Sequence, residues 1–210
     1  MAEITPDSEQ TRLLLERAQA GDRRAFERLF DRHRSYLLEV VASRLDPKMQ
    51  ARIDPSDVVQ EAQLEAYRRL PDYLIRRPMP FRLWLRKTAQ ERLLMARRQH
   101  VRAKARSLRR EVPLPERSSL LLARPFLARG STPSRQLNRH ELARRVRQAV
   151  ALLPVADQEI LLLRTYEGLS NEEVACLLDL TPATASKRHG RAVLRLYRLL
   201  TEAGLSESQL

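Results

Sequence analysis

The chain has 210 residues, 31% of them charged, and a formal net charge of +13, a length for one or two small domains and a balance that points to a polyanionic partner. Leu, Ala, Arg and Glu dominate, only 5% of residues are aromatic and five are glycine, so an all-α fold is expected rather than a sheet. One cysteine, Cys176, excludes an intrachain disulfide and a CxxC metal site; no apolar run approaches a membrane span, and MAEITPDSEQ does not read as a signal peptide, so a cytoplasmic protein without membrane insertion is expected.

A first helical block runs from about Gln10 to Arg106. A helix around Leu13 to Ala18 is separated by Gly21-Asp22 from a second, whose positions Phe26, Leu29, Phe30, Leu37, Val40 and Val41 recur at helical spacing. Asp46-Pro47 suggests its end. The next helix has a cap in Asp54, a proline at its first position in Pro55, an early acid in Asp57 and an Ile53–Val58 staple across the cap. It is expected to stop near Leu70, before Pro71. Pro78 and Pro80 mark a connection, and a further helix begins near Phe81 with Phe81, Trp84, Leu85 and Thr88 on one face.

The positive charge is concentrated here. Between Arg76 and Arg117 there are 14 Lys or Arg against 3 Asp or Glu, so most of the excess sits in one fifth of the chain, as a phosphate-binding stretch would have it. From Ser107 to Ser134 the prolines Pro113, Pro115, Pro125 and Pro133 interrupt the text, which reads as a flexible linker with one apolar patch, Leu120 to Leu122 with Phe126 and Leu127.

A second helical block follows, from about Arg135 to Leu200. Leu142, Val146, Ala149, Val150 and Leu153 form one apolar face. A helix through Ile160 to Tyr166 ends at Gly168. Ser170-Asn171-Glu172-Glu173 is a capping box, with Leu169 placed to staple onto Val174. Asp179-Leu180 is a turn, after which Thr181 caps a helix with Pro182 at its first position. A short capped helix, a turn and a second, Arg-rich capped helix spell a helix-turn-helix. Thr184, Ser186, Lys187, Arg188 and Arg191 lie in the first turns of the second helix, where Arg and Lys can donate paired hydrogen bonds to guanine and Ser or Thr can reach bases or phosphates. Ala185, Ala192 and Leu196 share the core-facing side, with Arg188 expected opposite Ala185 and Ala192.

No enzyme constellation is present. His33, His100, His140 and His189 have no metal-ligand spacing with one another or with Cys176, which reads as a small buried core thiol. GxSxG, Walker and GxGxxG patterns are missing. No catalytic residue, metal, nucleotide or redox cofactor is expected.

The stretch LLPVADQEILLLRTYEGLSNEEVACLLDLTPATASKRHGRAVLRL resembles region 4 of the sigma-70 family in its extracytoplasmic-function (ECF) branch. DPSDVVQEAQLEAYRRL resembles the D-x-x-D-φ-φ-Q-E pattern (φ apolar) of sigma region 2, and PFRLWLRKTAQERLLMARRQHVRAKAR resembles the end of that region. The resemblance implies two small helical domains: region 2 over 8–106 and region 4 over 135–202, joined by the linker 107–134. It implies a factor that binds core RNA polymerase and directs it to promoter DNA. Asp57, Gln60 and Glu61 fall on the positions that dock on the beta-prime clamp helices. Arg92, Arg97, Arg98 and Arg102 would contact the −10 backbone, and a loop from Asp72 to Met79 would hold unstacked bases, with Tyr73 as its stacking residue. The Thr184 to Arg191 set would read the −35 element. Members are commonly held inactive by an anti-sigma protein. The sequence departs from the family at Asp179, where a turn glycine is usual, at Gln63, where an apolar residue is usual, and at Gly190 inside the recognition helix. Two other readings stay open on the residues alone. One is a one-component helix-turn-helix regulator. The other is an RNA-binding structural protein driven by the Arg-rich block.

Overall fold

In the computed structural model, which describes residues 4–45, 47–103, 142 and 144–203, every regular element among the described residues is helical. The elements are α1 (Glu9–Gln19), α2 (Arg23–Ala42), the single turn α3 (Pro47–Gln50), α4 (Pro55–Arg76), α5 (Phe81–Ala103), α6 (144–151), α7 (Val155–Leu161), α8 (Asn171–Leu177) and α9 (Pro182–Glu202). They fall into two compact units, one within Ile4–Arg110 and one within Glu111–Leu210.

Local chemistry starts most of these helices. Ser8, Asp22, Asp54, Ser170 and Thr181 each accept a backbone N–H of the first turn, which satisfies one of the four orphan donors of a helix start. Gly21, with φ of 88°, takes the left-handed geometry that lets the chain reverse between α1 and α2. Ile53 and Val58 are both buried, as a staple across the Asp54 cap requires.

In the first unit α4 packs on α5, α1 on α2, and α2 on both α4 and α5. The core joins Leu15, Leu29, Phe30, Leu37, Val59, Ala62, Phe81 and Leu85, each withdrawn from water. Residues at helical spacing in α2 supply one side of this core, and the small Ala62 and Ala66 let α4 come close.

Two features of the first unit stand out, and the first departs from the sequence reading. The helix expected to stop at Leu70 continues to Arg76, with Pro71 inside it. An interior proline costs about 3 kcal/mol. Leu70 and Tyr73 are 5% and 3% exposed, and burying one such side chain yields about 1.5–3 kcal/mol. Keeping both in helical register therefore offsets the proline, which sits on the solvent side. The helix ends instead at Arg77, a non-glycine residue in left-handed geometry with φ of 38°, just before Pro78.

The start of α5 falls at Phe81, as the sequence predicts, but its cap comes from far away in the chain. Pro80 precedes it and has no polar side chain to offer. The N–H of Phe81 donates instead to both carboxylate oxygens of Asp7, at 2.9 and 3.1 Å, across 74 residues of chain. Burial pushes the Asp7 carboxyl above its ordinary value, against the backbone hydrogen bonds from Phe81 and Arg82 that favour its charged form.

In the second unit α9 packs on α7 and α8. Leu142, Val146, Ala149, Val150 and Leu153 are all buried, as their spacing predicts. The helix expected from Ile160 begins earlier, at Val155, and its last stretch, Leu162–Tyr166, widens into a π-helix. Gly168, with φ of 66°, closes it, and the N–H of Leu169 reaches back to the carbonyl of Leu163 at 3.0 Å. Cys176, expected in the core, is half-buried. The linker 107–134 and its apolar patch lie outside the described residues.

Candidate nucleic-acid interface

The first turns of α4 build one candidate face. Asp54 accepts the Ser56 N–H at 2.7 Å and fixes where the helix begins. From that start the helical period sends Val58, Val59 and Ala62 into the core and leaves Asp57, Gln60 and Glu61 exposed together. Leu64, one turn further on, is 61% exposed. The sequence reading missed Leu64 as part of this face, although its spacing from Asp57, Gln60 and Glu61 puts it there. An apolar side chain beside two carboxylates is a surface suited to a basic partner that also offers apolar contact.

The expected −10 residues divide. Arg98 is exposed. Arg92 is half-buried and lies 3.6 Å from Glu65, which also accepts from Arg69 at 2.6 Å, while Arg69 reaches Glu91 at 2.8 Å. This network ties α5 to α4. The Arg97 guanidinium donates to the main-chain carbonyl of Arg44, so its head is tied to the end of α2. Arg102 lies on the α5 backbone, but its side chain is outside the described residues. Arg98 is therefore the one exposed member of the set among the described side chains. Arg86, also on α5, is 2% exposed and donates to Gln90 at 2.7 Å.

Tyr73 does not lie where the sequence places it. It is not in a loop, and its ring is not available for stacking on a base. The ring lies on Trp84 with centroids 4.5 Å apart and meets Phe81 edge-on at 5.5 Å. Its hydroxyl donates to the carbonyl of Met79 at 3.1 Å, and burial pushes its pKa above the ordinary phenol value. The physical reason is the continuation of α4 past Pro71, which turns Tyr73 inward. Trp84, expected on one face with Phe81 and Leu85, packs half-buried against this core.

In the second unit the capping box is complete. The Glu173 N–H donates to Ser170 Oγ at 3.1 Å, and the Ser170 N–H donates to Glu173 Oε2 at 2.9 Å. Asp179 adopts φ of 52°, so it fills the left-handed turn position that glycine usually takes, and the N–H of Leu180 closes on the carbonyl of Ala175 at 2.9 Å. Thr181 then caps α9 through the Thr184 N–H at 3.2 Å. Two cross-links went unforeseen. Asn171 Nδ2 donates to the carbonyl of Pro182 at 2.8 Å, joining the first turn of α8 to the first turn of α9. Arg195 donates to the buried Asp157 at 2.5 Å and ties α9 to α7. Their partners lie 11 and 38 residues away in sequence, beyond any local signal.

Ala185, Ala192 and Leu196 are buried. Thr184, Ser186, Lys187 and Arg191 are exposed on the other side of the helix. Arg188 is half-buried, not opposite the core face as expected. At about 100° per residue it lies only about 60° round the helix from Ala185. His189 is half-buried beside it, and burial with the nearby Arg164 charge holds its imidazole below the usual pKa.

The comparisons with known proteins bear on this geometry. Residues 143–196 match the family described as Sigma-70, region 4. The chain is 30% identical over 185 residues to the ECF RNA polymerase sigma-E factor of Escherichia coli (strain K12), covering 86% of this chain and 88% of that protein. It is 29% identical over 184 residues to the RNA polymerase sigma-H factor of Pseudomonas aeruginosa, covering 88% of this chain and 90% of that one. A solved structure of CnrH in complex with the cytosolic domain of CnrY matches with a TM-score of 0.57 at 24% identity, over 92% of this chain and 99% of that one. The sigma factor RpoE from Bartonella quintana, solved in complex with the anti-sigma factor NepR, matches with a TM-score of 0.52 at 17% identity, over 84% and 96%.

An all-helical chain carrying a capped helix-turn-helix with a basic exposed face is a DNA-binding transcription protein. More narrowly, this chain belongs to the ECF branch of the sigma-70 family of RNA polymerase sigma factors. Its function is that of a sigma factor, which sets aside the one-component regulator.

Proposed function

We propose that the two helical units divide promoter recognition between them. The first, over 8–106, docks on the beta-prime clamp helices of core RNA polymerase through Asp57, Gln60 and Glu61, joined by Leu64, and engages the −10 element through Arg98 and Arg102 on α5. The second, over 135–202, reads the −35 element with Thr184, Ser186, Lys187, Arg188 and Arg191. Residues 107–134 act as the linker. The protein works in the cytoplasm without a cofactor or catalytic centre, and an anti-sigma protein is a fitting regulator, since the relatives CnrH and RpoE were solved with such partners or with a separate cytosolic chain.

The observation that carries the reading is the exposure of Asp57, Gln60 and Glu61 on one side of α4 while Val58, Val59 and Ala62 beside them are buried. That pattern leaves a charged surface which the fold itself does not use. Runoff transcription with purified core polymerase over a promoter library tests the function. Transcripts should start downstream of paired −35 and −10 elements only when the protein is added. Enrichment of no promoter over core alone contradicts it.

A further inference from the structure

The recognition helix carries a glycine that neither backbone geometry nor packing requires. Gly190 is the ninth of the 21 residues of α9, well inside the helix. Its φ is not in the left-handed region, so other residues can adopt its backbone. A Cβ built on it meets nothing within 4 Å, so alanine fits without moving a neighbour. Glycine inside a helix is worth about 1 kcal/mol less than alanine, and here no structural gain inside the protein offsets that loss. What remains is the outward side. Gly190 is exposed, one turn after the exposed Ser186 and Lys187 and directly before the exposed Arg191. A side chain there would project between the groups that face DNA.

We propose that Gly190 is a specificity-determining position for the −35 element: the missing side chain lets α9 approach the edges of the base pairs closely enough for the short Ser186 and the flanking Lys187 and Arg191 to reach them. The inference rests on the reading above, that the exposed face of α9 enters the major groove. A major groove about 12 Å wide accepts a helix with little clearance, so one added methyl group facing its floor changes which donors and acceptors come within hydrogen-bond range. Arg and Lys have length to spare, whereas Ser186 has none. Ser186 is the first contact to be lost when the helix stands off.

The test sets stability against function in Gly190→Ala, using the full chain assembled with core polymerase. The thermal midpoint of the free protein should rise by about 2–6 °C, since roughly 1 kcal/mol of helix propensity is regained. Affinity of the holoenzyme for its selected promoter should fall about tenfold, with binding to core unchanged. The same holoenzyme should show no loss on a promoter whose −35 element is scrambled. Gly190→Leu should deepen the −35 loss. An unchanged or improved promoter affinity in Gly190→Ala overturns the proposal, and so does a loss of equal size on the scrambled promoter. A lowered thermal midpoint overturns it as well, because the position would then have a packing role. Lys187→Ala and Arg191→Ala are measured in parallel. If they weaken −35 binding and Gly190→Ala does not, only this inference falls. If neither has any effect, the groove-facing reading of α9 is what fails.

Discussion

The two basic helices of this protein, α5 and α9, use similar side chains in opposite ways. On α5 most of the described arginines are part of the scaffold. Arg86 is buried against Gln90, Arg92 lies in the Glu65 network, and Arg97 donates to the carbonyl of Arg44. On α9 the early basic residues Lys187 and Arg191 are exposed, and the helix is seated by alanines and leucines beneath them. A run of positive charge thus states an affinity for polyanions but not which side chains meet them. Burial by neighbouring helices makes that choice. Where the core face is small and apolar, arginine is left for a ligand. Where helices cross with polar groups between them, arginine binds the helices together.

Reversing a charge on the docking face should have the largest effect. Glu61→Lys places a cation where a basic partner surface is expected, and binding to core polymerase should drop at least tenfold. Its thermal stability should stay within about 0.5 kcal/mol of the parent, as for most exposed changes. A folded variant that copurifies with core as well as the parent does would remove Glu61 from the interface.

Arg97 and Arg98 are adjacent in sequence and should behave differently. Arg97→Ala loses a hydrogen bond from a charged donor and leaves the Arg44 carbonyl less satisfied, so denaturant unfolding should show a loss of about 1–3 kcal/mol. Arg98→Ala should leave stability unchanged and reduce open complex, read as permanganate reactivity of −10 thymines with holoenzyme and no nucleotide. Equal effects of the two on both readouts would break the contrast between scaffold and ligand-facing arginine.

Within α9 a similar split is expected between Arg191 and Arg188. Arg191→Ala should cost about 1–3 kcal/mol and relax the choice of base at one −35 position. Half-buried Arg188 is expected to reach only the DNA phosphates, so Arg188→Ala should weaken all sequences alike and make the salt dependence shallower. A scan of −35 variants at two salt concentrations separates these outcomes.

The smallest expected effect belongs to the core of the first unit. Burial, then the charges of Arg32 and Arg82, lowers the pKa of His33 to about 4, and its ring lies 5.8 Å from that of Phe81. Below its unfolded value near 6.5 the unfolded chain binds the proton more readily, so stability is full above that pH and is lost as pH falls toward 4. The shift corresponds to about 3 kcal/mol, and solvent screening at this half-exposed site brings it to roughly 1 kcal/mol. Asp7, whose pKa is raised, works in the opposite sense: its contribution is present in acid and fades as pH rises. Thermal melts at pH 4.5 and 7.5 should show a smaller acid loss in His33→Leu than in the parent. An identical loss in both would assign the acid sensitivity elsewhere.

What was legible in the sequence follows the range of the interaction. The caps at Asp54, Ser170 and Thr181, the turns at Gly21 and Gly168, and the left-handed Asp179 are settled within a few residues, and each appears as its local chemistry predicts. The apolar faces of α2 and α6 were legible because periodicity alone sets them. Tyr73 and Arg97 were placed on the DNA-facing set because nothing local marks the ring beneath Tyr73 or the carbonyl that holds Arg97. The Asp7 cap was invisible for the same reason, since its partner is 74 residues away.

Promoter discrimination by two variant holoenzymes tests the division of labour most directly. Polymerase carrying Arg98→Ala or Arg191→Ala is assayed for open complex on promoters altered separately at −10 and at −35. Arg191→Ala should lose sensitivity to the −35 changes while still distinguishing the −10 changes, whereas Arg98→Ala, a contact to the DNA backbone, should lower open complex on every promoter and keep both preferences. If Arg191→Ala instead blunts discrimination at −10, or keeps full discrimination at −35, the two units do not read separate elements.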